Sequence, residues 1–126
     1  MYYVLELIDW GIKLNKDYVL NVTEAKRAKI VEELKEFKMK NAEYDFESGS
    51  LIDIAVGDAV IENYEHDDAS YIGISAEHNH TSMVIDYYGE FRGGYPYISP
   101  SLEKWAEKKG LYWEWMNAAV IVLYPV

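Results

Sequence analysis

The chain has 126 residues, 50% apolar and 27% charged, which suits one domain with a buried core and excludes disorder as the default. It has no cysteine, so disulfides, thiol catalysis and thiolate metal ligands are excluded. The net charge of -10 opposes direct binding of nucleic-acid phosphate, which needs cations to displace counterions.

Residues 2–8 are β-branched and aromatic and predict a first strand, ended near Asp9-Trp10-Gly11. Residues 18–22 predict a second short strand. Thr23 is a good N-cap, with Glu24 in the first turn, where the helix dipole favours an anion. Ile30, Val31, Leu34 and Phe37 then fall on one stripe, predicting a helix to about Met39 or Asn41 whose mixed Lys/Glu face is solvated. Glu47-Ser48-Gly49-Ser50 reads as a turn.

Strand-like runs follow at 51–56, 59–64, 70–76 and 81–88, broken at Gly57-Asp58, Asp67-Asp68 and His78-Asn79. Their short connections predict an antiparallel meander. Residues 89–95 form a loop with a Gly93-Gly94 pair. Ser99-Pro100 marks a helix start, Leu102, Trp105 and Ala106 its apolar face, and Gly110 its C-cap. Residues 111–124 predict a final strand or hairpin, with 118–123 apolar enough to lie centrally in a sheet. The expected fold is a single α+β domain over 1–126: an antiparallel β-sheet of about five or six strands with two helices packed on one face. The amino terminus lacks a secretion-signal pattern and no apolar run is long enough to span a bilayer, so a cytoplasmic protein is expected.

The charge is unevenly spread. Between Asn41 and Pro100 lie twelve of the 22 carboxylates, one cation (Arg92) and seven of the twelve tyrosines. Both predicted helices are nearly balanced in charge. A one-signed field steers an oppositely charged partner, and Tyr and Trp are enriched in interface cores. Two aromatic series stand out: Tyr87-Tyr88, Phe91, Tyr95 and Tyr97 around the glycine-rich loop beside Glu90, and Tyr112-Trp113-Glu114-Trp115 on the last strand. Any single ring could simply cover the end of a small core. Taken together beside the carboxylates, they predict a binding surface. The residues expected to contact the partner are Glu62, Tyr64, Glu65, Asp67, Asp68, Tyr71, Glu77, Asp86, Tyr88, Glu90 and Tyr95.

The polar cluster Glu65-His66-Asp67-Asp68 and Glu77-His78-Asn79-His80 has two readings. As a hairpin loop it needs no ligand. As a site, His78 and His80 with Asp86 or Asp67 offer three N/O ligands to a zinc-like ion, because alternate strand residues point the same way. The string also approaches the His-x-His…Ser-x-x-Asp pattern of zinc-dependent isopeptidases, but Ser82 and Asp86 leave Ser-x-x-x-Asp. There is no phosphate-cradling Gly-x-x-x-x-Gly-Lys loop and no Gly-x-Ser-x-Gly elbow. No catalytic residue and no cofactor is predicted.

Tyr87-Tyr88-Gly89-Glu90-Phe91, the turn at Pro96, a helix of about ten residues, a glycine and Trp113-Glu114-Trp115 together resemble the first-described immunity family of bacterial polymorphic toxin systems. The resemblance covers residues 83–115, about a quarter of the chain. It implies a small cytosolic inhibitor paired with a deaminase-type toxin. The chain continues past the tryptophan strand into residues 118–123, which the family pattern lacks. A second resemblance, of Ser48-Gly49-Ser50-Leu51 and residues 95–103, is to phage head–tail joining proteins, without the threonine-containing turn before the second motif. The leading expectation is therefore an acidic inhibitor, monomer or dimer, of a basic protein partner such as a toxin or nuclease, with no direct contact to nucleic acid or membrane. An anti-defence protein of a phage would work in the same way. A virion component and a metal-dependent hydrolase are the alternatives.

Overall fold

The computed structural model describes residues 17–78, 84–89 and 94–126. The strand expected at 2–8 lies outside them, as do residues 81–83 of the strand expected at 81–88. Nine strands and two α-helices follow in the described residues: β1 (Asp17–Tyr18), α1 (Glu24–Lys35), β2 (Lys38–Asp45), β3 (Ser50–Ala55), β4 (Val60–His66), β5 (Ala69–Ser75), β6 (Ile85–Asp86), β7 (Tyr97–Ile98), α2 (Pro100–Glu107), β8 (Leu111–Asn117) and β9 (Val120–Pro125). The α+β class is as expected.

Local signals set where both helices begin. Thr23 Oγ1 accepts from Lys26 N at 3.1 Å at the start of α1, and Ser99 Oγ accepts from Ser101 N at 3.3 Å at the start of α2. Pro100 occupies the first turn of α2, where a missing N–H costs nothing. The end of α1 differs from expectation. Phe37 N closes the last turn on Leu34 O, and the chain becomes β2 at Lys38 rather than running helical to 39–41. The cause is tertiary. Residues 38–45 gain ladder partners in β3, and Asn41 takes a left-handed φ of 50° held by its N–H on Asp53 Oδ1 at 2.9 Å.

The main sheet has five strands, with β4 against one edge of β5 and β1 and β9 against successive parts of the other; β8 lies outside β9. The β1–β5 pairing is parallel and the others are antiparallel. The four-strand meander is not what forms. β3 pairs with β2 instead of β4, because a 3-10 turn over Gly57–Ala59 redirects the chain past the end of α1. That passage is tight: a Cβ on Gly57 would sit 2.8 Å from the Lys35 carbonyl oxygen. Of the expected strand at 81–88, the described residues keep only Ile85–Asp86, paired with Tyr97–Ile98. The strand expected at 18–22 shortens to Asp17–Tyr18, and Leu20 turns into the core.

Both helices cover one face of the main sheet. Ile30, Val31 and Leu34 of α1 and Leu102 and Ala106 of α2 share a core with Ile72, Ile74, Ile121 and Leu123. Each leucine, isoleucine or valine so buried contributes on the order of 1.5–3 kcal/mol relative to exposure. Trp113 locks α2 down, donating from Nε1 to Leu102 O at 3.2 Å and stacking on Trp105. The other face carries a second cluster, Tyr71, Val120 and Val122, flanked by Ile61, Tyr64 and Tyr124. This two-sided burial explains why the end of the chain reads as a continuous apolar run, with β9 central as expected. Among the described residues no helix is long and apolar enough to cross a membrane.

Candidate protein-binding surface

Tyr87, Tyr88 and Tyr95 of the first aromatic series and Trp115 of β8 meet in one place. Val84 and Ile85 are fully buried and anchor β6, and Ser99 N donates to Val84 O at 2.7 Å. Beyond Asp86 the chain turns: Gly89 N donates to Asp86 O at 3.0 Å, and Tyr88 N donates to Asp86 Oδ1 at 3.2 Å. Gly89 has a left-handed φ of 67°, and a Cβ there would lie 2.1 Å from Gly94 O, so only glycine lets the two chain passes touch. That close approach delivers Tyr95 to Tyr87.

Tyr87 is the hub. Its ring meets Trp115 at 5.2 Å, Tyr95 at 4.9 Å and Tyr88 at 5.3 Å between centroids, all edge to face. Such pairs contribute roughly 0.5–1.5 kcal/mol each beyond burial. Tyr95 Oη donates to Tyr87 Oη at 2.8 Å, which holds the Tyr95 hydroxyl above its ordinary pKa. The Tyr95–Pro96 peptide is cis. Tyr88 and Tyr95, at the outside of the cluster, are each 62% exposed. A fixed aromatic floor thus carries two projecting rings, a form suited to an apolar or cationic side chain of a partner.

The expected contact residues do not form one surface. Asp86, Tyr88 and Tyr95 come together as described, with Glu90 outside the described residues. Asp67 and Asp68 form the exposed β4–β5 turn, at the far end of β5 from Ser75 and Glu77. His66 Nε2 sits 3.2 Å from Asp67 Oδ2 in that turn, a contact between solvent-facing neighbours. Glu65 pairs with Ser70 at the same end. Tyr64 and Tyr71 are cross-strand partners on the sheet face away from the helices, where Asn117 Nδ2 donates to Tyr64 Oη at 3.2 Å. Glu62 faces α1, 2.6 Å from Lys35 Nζ, along an open groove of about 640 Å³. The Lys35 contact lowers its pKa.

Two members of the cluster, Tyr87 and Trp115, were not among the expected contacts. The alternation of Trp113 and Trp115 was the available signal, since it puts both rings on the helix side of β8. A second exposed apolar group was missed altogether: Tyr44, Phe46, Leu51 and Ile52 on the β2–β3 hairpin. The alternation Glu43-Tyr44-Asp45-Phe46-Glu47 carries that strand signal, but the helical stripe before it masks its start. Among the described residues no three His, Asp or Glu side chains form a metal-ligand set, and His80 lies outside them. The chain matches no family model, no curated protein and no solved structure.

Proposed function

We propose that this is a non-enzymatic binding protein that inhibits a basic protein partner, docking through the Tyr87–Tyr88–Tyr95–Trp115 cluster. The carrying observation is the pair of exposed rings, Tyr88 and Tyr95, fixed on a packed aromatic base within the segment that holds twelve carboxylates and one cation. Rings held in place before binding lose little entropy when a partner lands on them. The net negative charge of the segment, to which the Asp67-Asp68 turn adds from the far end of β5, raises the encounter rate at long range, and the aromatic anchors slow dissociation. A toxin neutralised by an immunity protein and a host nuclease blocked by a phage protein both fit this division of labour.

The test uses the product of the neighbouring gene as the partner and follows association by stopped flow. The association rate should fall steeply as salt rises, and Asp67→Lys/Asp68→Lys should lower that rate with little change in dissociation. Tyr88→Ala/Tyr95→Ala should instead speed dissociation, weakening the complex by about 2 kcal/mol or more. Tight binding that ignores both ionic strength and the tyrosine substitutions would refute the reading.

A further inference from the structure

Sheet edges invite pairing, and folded proteins guard them with bulges and charges. Three of the longer strands here are guarded in that way. β4 carries a register shift between Ile61 and Tyr64 together with Glu62 and Glu65. β8 is shifted between Trp115 and Asn117 and bears Glu114. β2 is shifted between Met39 and Glu43 and bears two lysines and two carboxylates.

β3 has neither safeguard. Among the described strands it pairs with β2 alone, the extra residues of the bulge lie on β2, and its one charged residue is Asp53. That carboxylate is already engaged, by Asn41 N at 2.9 Å and by Lys40 Nζ at 3.9 Å. Ile54, 4% exposed, fixes the strand in the core, whereas Leu51 is 54% and Ile52 37% exposed. Adjacent strand residues point to opposite faces, so both faces of this stretch stand clear of the body.

We propose that the outer edge of β3 pairs with the same edge of a second copy of this chain, antiparallel about a two-fold axis, joining two hairpins into a four-stranded sheet. An antiparallel edge is complementary to itself, and Leu51 and Ile52 give each face of the joined sheet an apolar strip. Charge selects the occupant. A basic partner would find on β3 only one carboxylate, Asp53, whose oxygens already face Asn41 N and Lys40 Nζ, while the remaining hairpin carboxylates sit on β2 and the turn, away from the seam. A second copy can therefore approach here despite its net charge of -10. This surface is separate from the aromatic cluster, and its salt dependence has the opposite sign, because screening relieves repulsion between like-charged copies.

Sedimentation equilibrium of the full chain should show a species of twice the 14.6 kDa chain mass that strengthens with salt. Ile52→Lys should raise its dissociation constant about tenfold or more, with far-UV dichroism unchanged. Because the chain has no cysteine, Ser50→Cys, Leu51→Cys, Ile52→Cys and Asp53→Cys provide an independent readout. Oxidation should give covalent dimers chiefly at the positions nearest the axis, where Cα atoms come within disulfide reach, and far more than Glu47→Cys in the turn. A monomer up to about 100 μM, a dimer indifferent to Ile52→Lys, or cross-linking no greater than at Glu47→Cys would overturn the proposal.

Discussion

Arg27 ties α1 to β4 through the backbone of Glu62: Nη2 donates to the Glu62 carbonyl oxygen at 2.8 Å. The guanidinium lies 4.2 Å over the Tyr18 ring, and the side chain is only 8% exposed. Burial lowers its pKa, an effect opposed by Tyr18 and Glu62. Among the described residues the buried Nε has no hydrogen-bond partner, which reduces the net worth of the arrangement. Arg27→Ala removes the hydrogen bond, the stacking and the packed stem, and should cost about 2–3 kcal/mol, read from the urea midpoint at unchanged m. Arg27→Lys should recover only part of this, because an ammonium lacks the flat fork that stacks and donates together.

The same contact shows how far the sequence could be read. α2 was legible at its start because Ser99 and Pro100 act within the first turn. Its C-cap, however, is Lys108 and not the expected Gly110, which takes its left-handed φ of 73° two residues later. α1 was legible at Thr23 but not at its end, since β2 is imposed by β3 and by Asp53, twelve residues beyond Asn41. The aromatic residues at 87–95 announced an exposed surface by type. Their hub did not, because Tyr87 meets Trp115 only once the last hairpin is beside the 86–89 turn. Glu62 looked free in the sequence for the same reason: its partners, Lys35 and Arg27, lie 27 and 35 residues away.

Gly73 is set where β5 meets β9, and a Cβ there would lie 2.8 Å from the Ile121 carbonyl oxygen. Backbone cannot step aside as a flexible side chain can. Gly73→Ala should therefore destabilise by about 1–3 kcal/mol, although alanine is ordinarily the better residue in terms of chain entropy. Thermal unfolding of the variant checks this, and an unchanged or raised midpoint would show that the sheet relaxes there at no cost.

Tyr124 stacks on Tyr112 and meets Tyr71 edge to face, both at 5.6 Å between centroids. Its hydrogen bond to Tyr71, then burial, push its pKa from 10.0 up to about 12. A phenol whose folded pKa is raised keeps a proton that the unfolded chain releases. Its contribution is complete below pH 10 and is lost as pH rises from 10 towards 12. Tyr71→Phe should return Tyr124 towards 10 and flatten the alkaline decline in stability. Tyrosinate absorbance titration alongside urea unfolding would measure both.

Asp45 holds the β2–β3 turn as an acceptor, taking Glu47 N on Oδ1 and Ser48 N on Oδ2, each at 3.3 Å, while its own carbonyl accepts Gly49 N at 2.8 Å. Hydrogen bonding from Ser48, then from the Glu47 amide, lowers its pKa below the ordinary 3.8. A carboxyl with a depressed folded pKa stabilises above its unfolded value and loses that contribution as pH falls through the folded one. The turn should therefore loosen below pH 3.8 and not above it. Hydrogen exchange at the Ser48 amide, whose acceptor is the carboxylate itself, should accelerate in that window relative to the buried amides of β9. Asp45→Asn keeps an acceptor oxygen but no titration, so it should exchange faster than wild type at neutral pH and show no further opening in acid. An acid response in Asp45→Asn equal to that of the wild type would assign the loosening to some other carboxylate.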